Sequence, residues 1–167
     1  MRLVVSDANI LIDMEAGQII EMLFQLPMRI ATPDILYYEE IEGGSPYLVE
    51  LGLEVLEVDG NWVSYAEQLP GRYHPSMSSS RGSKPSHNDY LTLALARQEA
   101  CTLLTGDKQL RSVAVQEGVT VMGTIGLLLT MVDCELITRM QAADALQHMK
   151  NAHRRLPWDE AKRCLRT

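Results

Sequence analysis

Cysteine is scarce in this 167-residue sequence: Cys101, Cys134 and Cys164 are the only three, and they lie far apart. No C-x-x-C pair occurs, which argues against a thiolate zinc site. An odd, scattered set without a secretory signal reads as reduced intracellular thiols. Long apolar runs are missing too. The stretch Met1 to Asp13 is broken by Asp7, and Ile125 to Val132 is interrupted by Gly126 and Thr130. Neither approaches the roughly 20 apolar residues of a membrane span. No internal repeat is visible. The expectation is a cytoplasmic protein with no membrane partner.

Basic residues are scarce in the first 70 positions. Arg2 and Arg29 stand there against thirteen acids, a net of −11 within a total of −7. A net negative charge at first argues against a polyanionic ligand, because phosphate binding usually leaves a basic footprint. Residues 71–167 reverse the balance, with thirteen basic and nine acidic residues. Arg72, Arg81 and Lys84 lie in a loop at 71–88, and six more basic residues follow from Lys150. A basic loop beside an acidic cleft could hold a phosphate backbone; equally, its charges could simply keep the loop soluble.

What is present is 46% hydrophobic residues and a length suited to one domain with a substantial core. Leu3-Val4-Val5 reads as a strand buried on both faces. Further strands are expected at Met28–Ala31, Leu53–Val58, Cys101–Leu104 and Val119–Met122. Between them, helices are expected over Ala8–Phe24 (divided near Gly17), Pro33–Glu42 with Pro33 in its first turn, and Trp62–Leu69 capped by Asn61. More follow at His87–Glu99 capped by Ser86, Lys108–Glu117, Thr124–Val132, Arg139–Asn151 with a Thr138/Gln141 capping box, and Trp158–Leu165. Short strands alternating with amphipathic helices imply an α/β domain with a mainly parallel sheet. Residues 71–88, rich in Ser, Gly and Pro, form a long loop.

In such sheets ligands gather at the carboxyl ends of strands, near a topological switch point. Asp7 follows the first strand and Thr105-Gly106-Asp107 the fourth. If those strands are neighbours, Asp7 and Asp107 face each other, and Asp89 and one of Glu39 and Glu40 can join from flanking helices. Clustered carboxylates repel, and a divalent cation removes the conflict. Oxygen-only ligands suit Mg²⁺ or Mn²⁺, and such a site can hydrolyse phosphodiesters. Asp7 and Asp107 could instead merely cap the helices that follow them. Asp13 reads as a helix-surface charge and Asp34 as a first-turn charge. His74 and His87 read as surface-loop histidines. Met14, Met22, Met28, Met122, Met131, Met140 and Met149 read as core filler. Tyr73 and Trp158 could stack on bases or simply pack.

The segments VSDANILID (5–13), PDILYYEEIE (33–42), SHNDYLTLALA (86–96) and LLTGDKQLR (103–111) resemble, in order and spacing, the PIN domain of VapC-type toxins. GTIGLLLTMV (123–132) and RRLP (154–157) are similar to one bacterial subgroup. The resemblance spans nearly the whole chain. It implies one PIN-like three-layer α/β/α domain over 1–167, with a five-stranded parallel sheet and a C-terminal helical extension over about 138–167. It also implies Mg²⁺- or Mn²⁺-dependent, usually endonucleolytic ribonuclease activity in a toxin–antitoxin pair. By position, Asp7, Glu40, Asp89 and Asp107 would be the metal-binding acids. Asn9 would take the small polar position that orients Asp7, Thr105 would supply a nearby hydroxyl, and Asn88 would help hold the water shell. Glu40, before the apolar Ile41, fits the second acid better than Glu39, and on a regular helix only one of the two would face the cleft. RNA is the implied substrate and a small antitoxin the implied partner, often one that reaches the carboxylates with an arginine; a homodimer is also plausible. Two other readings stay open. One is a PIN scaffold without activity that serves as a binding module. The other is a phospho-acceptor receiver domain using Asp59, Thr105 and Lys108, which lacks the adjacent acids after the first strand and the lysine after the fifth.

Overall fold

Residues Val4 and Val5 have opposite destinations, and this determines the layering. Val4 packs into an apolar cluster on one face of a sheet and Val5 into a second cluster on the other. Leu104 and Leu103 of the neighbouring strand divide in the same way. A strand buried on both faces must be apolar at consecutive positions rather than alternating ones. The computed structural model describes residues 1–74 and 84–165.

Among the described residues the sheet has five strands: β1 (Arg2–Ser6), β2 (Met28–Pro33), β3 (Glu54–Leu56), β4 (Thr102–Leu104) and β5 (Val121–Met122). All pairings are parallel, in the order β3-β2-β1-β4-β5. The chain winds from β1 out to β3 on one side, then returns to add β4 and β5 on the other. The switch point therefore lies between β1 and β4, the adjacency that brings their carboxyl ends together. The two edge strands are shorter than the apolar pattern suggests.

Helices α1 (Ala8–Ala16) and α2 (Ile20–Leu23) follow β1. After β2 come α3 (Asp34–Leu36), a wide π-helical turn over Tyr37–Ile41, and α4 (Leu48–Leu51), which the sequence pattern did not suggest. Then come α5 (Gly60–Tyr73), α6 (His87–Gln98), α7 (Lys108–Gln116), α8 (Thr124–Asp133), α9 (Arg139–Asn151) and α10 (Trp158–Leu165). One face of the sheet is covered by a core drawn from α1, α2, α8 and α9, the other by one drawn from α5, α6 and α7. This is a three-layer α/β/α fold. Among the described residues no helix is long and apolar enough to cross a membrane.

Several boundaries differ from expectation. Helix α5 is capped by Asp59, not Asn61: the Asp59 carbonyl accepts from Trp62 N and Val63 N at 2.8 and 2.9 Å. It continues through Pro70 to Tyr73, so residues 71–73 are helix rather than loop. Ala66 and Leu69 lie in the core shared with α6, and this burial outweighs the amide that Pro70 lacks. Residues 75–83 of the expected loop, with Arg81, lie outside the described residues. Pro33 ends β2 and caps α3 instead of opening it. Met140 is 75% exposed and fills no core, because it sits in the first turn of α9 pointing away from the sheet side. The capping boxes at Ser86/Asp89 and Thr138/Gln141 are both formed.

Candidate active site at the carboxyl ends of β1 and β4

Asp7 is the first residue past β1, and its backbone N–H donates to the Leu104 carbonyl at 3.0 Å. That bond extends the β1–β4 ladder by one step and fixes where the carboxylate can go. The side chain is 1% exposed. Its Oδ1 accepts from Ile10 N at 2.9 Å, which caps α1, and its Oδ2 accepts from the Thr105 hydroxyl at 2.5 Å. Thr105 is held in turn: its N–H donates to the Met122 carbonyl, and its Oγ1 accepts from Asp107 N at 3.2 Å. Asp107 caps α7 through Oδ1, which accepts from Leu110 N at 3.0 Å. So capping does occur at both aspartates. At Asp107 it uses one oxygen, and at Asp7 the second oxygen goes to a side chain from across the switch point.

Asp89 stands in the first turn of α6. Its Oδ2 accepts from Ser86 N at 2.8 Å, while the Ser86 hydroxyl accepts from Asp89 N. One residue earlier, the Asn88 amide donates to both Glu39 and Glu40, at 2.9 and 2.8 Å. A regular helix would turn one of those glutamates away. The chain here widens into a π-helical turn, closed by Glu42 N donating to the Tyr37 carbonyl at 2.8 Å. Within that turn both carboxylates reach Asn88.

The electrostatics are those of acids crowded at the strand ends, around a buried Asp7. Burial pushes the Asp7 carboxyl up to about 7, and nearby Asp89 and Asp13 push the same way; the bonds from Thr105 and Ile10 oppose them. Burial also raises Asp89, with Asp107 adding to the shift and Ser86 opposing it. Tyr90 is pushed up to about 12 by burial and by Asp89 and Asp107. The charges that act on Asp7 are other carboxylates, which is the condition a cation relieves.

Asn9 is exposed, and its side-chain oxygen accepts from Arg154 at 3.2 Å. The bonds that orient the Asp7 carboxylate come instead from Thr105 and Ile10. Asp13 is no surface charge. It is 4% exposed, accepts from the Thr124 hydroxyl at 2.8 Å, and pairs with Arg154 Nε at 2.6 Å. Asn9 and Asp13 are four residues apart, so they share one face of α1. That spacing was the available signal; Arg154, 141 positions further on, left none. Asp59, the acid a receiver domain would need, follows edge strand β3, while Thr105 follows β4. The receiver arrangement is therefore not assembled. His74 is half-buried, its ring 6.5 Å from that of Tyr90. The Tyr73 hydroxyl donates to Glu117, and Trp158 lies under Lys150 at 5.8 Å.

Among the described residues no three His, Cys, Asp or Glu side chains lie close enough to enclose an ion by themselves. Mg²⁺ does not need that. It keeps several of its waters and takes one or two carboxylates. The donor set (carboxylates, among them Asp7 and Asp89 with raised carboxyls, and hydroxyl and amide supports) fits a hydrated divalent cation. No curated protein matches the chain. A family model for the PIN domain, a nuclease-type domain that typically uses divalent metals, matches residues 3–167. With β1 and β4 side by side and acids at their carboxyl ends, the chain belongs to the PIN-domain family.

Proposed function

We propose that this PIN domain is a Mg²⁺- or Mn²⁺-dependent endoribonuclease, the toxin of a toxin–antitoxin pair. The observation that carries the reading is Asp7, buried yet raised to about 7, hydrogen-bonded to Thr105 across the switch point and acted on by Asp89. Of Asp7, Asp89 and Asp107, one or two would hold the hydrated cation directly and the rest through its waters, with Glu40 or Glu39 contributing through the shared Asn88. When bound, the cation stabilises charge developing on the phosphate and makes water acidic enough to attack near neutral pH. The chain's own residues supply position. Thr105 holds Asp7 from β4 while accepting the Asp107 N–H, so one hydroxyl ties two acids together. Asn88 holds the glutamates against α6. Such a cluster also suits a small antitoxin whose arginine reaches the carboxylates.

Purified protein should cut structured RNA with Mg²⁺ or Mn²⁺ and not in EDTA. Asp7→Asn and Asp107→Asn should each reduce cleavage about a hundredfold or more. Full activity in both variants sinks the reading. A tight partner complex with no cleavage under any metal would favour a binding module instead. Glu39→Gln and Glu40→Gln, made separately, show which glutamate matters more.

A further inference from the structure

A cavity of about 310 Å³ lies beside the acidic cluster, lined by Gly106 and Lys108 on either side of Asp107, the start of α8 and the segment Arg155–Pro157. That volume is at the lower end for small-ligand sites. Lys108, Arg111 and Arg155 line it, with Glu160 as the acid at its wall. All three cations are exposed, and among the described residues none has an ion-pair partner. Helix α8 starts in the cavity at Gly123 with no side-chain cap. Its first internal bond is Leu127 N to the Gly123 carbonyl, so the amides of Thr124, Ile125 and Gly126 have no partner within the helix. Gly123 lies close under Arg111: a methyl group there would stand 2.9 Å from Arg111 Nη2. The absent side chain lets the guanidinium lie over the helix start.

Three unpaired cations around a concave space that also receives uncapped amides suit a phosphate ester. We propose that this cavity binds an RNA backbone phosphate adjacent to the one being cut, holding the strand across the carboxylates. Lys108 follows Asp107 directly, so the cationic and acidic sites share the β4–α7 turn. The separation of charge has a purpose on this reading: acids take the metal and the reacting phosphate, and cations take its neighbour. The inference rests on the ribonuclease reading for its substrate.

The test measures binding of a fluorescein-labelled single-stranded oligoribonucleotide by anisotropy in EDTA, across a range of salt. The variants are Lys108→Ala/Arg111→Ala/Arg155→Ala and, as a charge control outside the cavity, Lys162→Ala/Arg163→Ala. The triple variant should bind about tenfold more weakly, and its log–log salt slope should fall by about one phosphate contact, roughly 0.7. The control should stay near wild type. Gly123→Ala keeps every charge but displaces Arg111, and should weaken binding several-fold. Equal affinity and slope in the triple variant and the control overturn the inference. If wild type binds with this charge dependence yet cuts no RNA with any metal, the nuclease reading fails and the phosphate site stands. If wild type cuts and the triple variant binds and cuts as well as it does, the phosphate site fails alone.

Discussion

Asp7 has both oxygens engaged and almost no water around it, and its carboxyl is raised from 3.8 to about 7. A raised acid leaves the folded state with more bound proton than the unfolded chain between those values. Its contribution to stability is therefore complete below about pH 4 and is lost as pH rises through about 7. In metal-free buffer at pH 8, Asp7→Asn should stabilise the protein by about 1–3 kcal/mol, the burial penalty removed less one lost hydrogen bond. At pH 4 the same variant should be neutral or slightly destabilised. Thermal unfolding at the two pH values checks the sign. Thr105→Val removes the hydroxyl that joins Asp7 to Asp107 and should reduce cleavage about ten- to a hundredfold. A larger change in the Mg²⁺ requirement than in folding stability would mark Thr105 as positioning rather than structural. Arg154→Ala strips the partner from a nearly buried Asp13. Breaking such pairs costs about 3–5 kcal/mol when both members are buried. Arg154's side chain is 25% exposed and Thr124 still donates, so about 2 kcal/mol is expected by urea denaturation.

At the scale of elements, helix starts marked by a capping box were legible in the sequence, because such a cap is made by residues three apart, whereas the starts at Asn61 and Pro33 each moved. Ser86 and Thr138 behave as their local sequences suggest. The segment after β2 was not legible in the same way. Its apolar spacing reads as an ordinary helix, but the chain widens into a π turn, and the Asn88 amide meets two glutamates 48 and 49 residues away. No local pattern reports a partner so distant. Gly17 is a second such case. Its break in the helical pattern was visible, but the reason was not: a methyl group there would stand 2.6 Å from Met149 Cε and 3.3 Å from the Ala145 carbonyl. The glycine permits the close approach of α9 to the end of α1. Gly17→Ala should therefore destabilise by about 1–3 kcal/mol with an unchanged denaturant m-value, despite the better helix propensity of alanine.

Across the whole molecule the charge is divided, −11 in residues 1–70 and +4 in the rest. The fold sets these parts against each other, since β1 and β2 come from the acidic part and β4 and β5 from the other. On the proposed ribonuclease reading, RNA approaching without metal would meet unneutralised carboxylates. Asp7→Asn/Asp107→Asn should therefore bind RNA in EDTA more tightly than wild type, and the difference should shrink as salt rises. Mg²⁺ should raise the melting temperature of wild type and not that of this double variant, because a ligand stabilises only the state that binds it.

The sequence by itself determined the alternation of strands and helices, the two capping boxes, and four short acidic segments in PIN order. All of these depend on neighbours within a few positions or on a spacing along the chain. The tertiary structure decided which strands lie side by side, and with that the bond from Thr105 to Asp7. It also made Asp13 a buried partner of Arg154 and placed three cations around the start of α8. Those facts join residues that lie 98 and 141 positions apart, or bring separate elements around one space, or depend on dehydration, and burial is a property of the folded chain that no single segment carries.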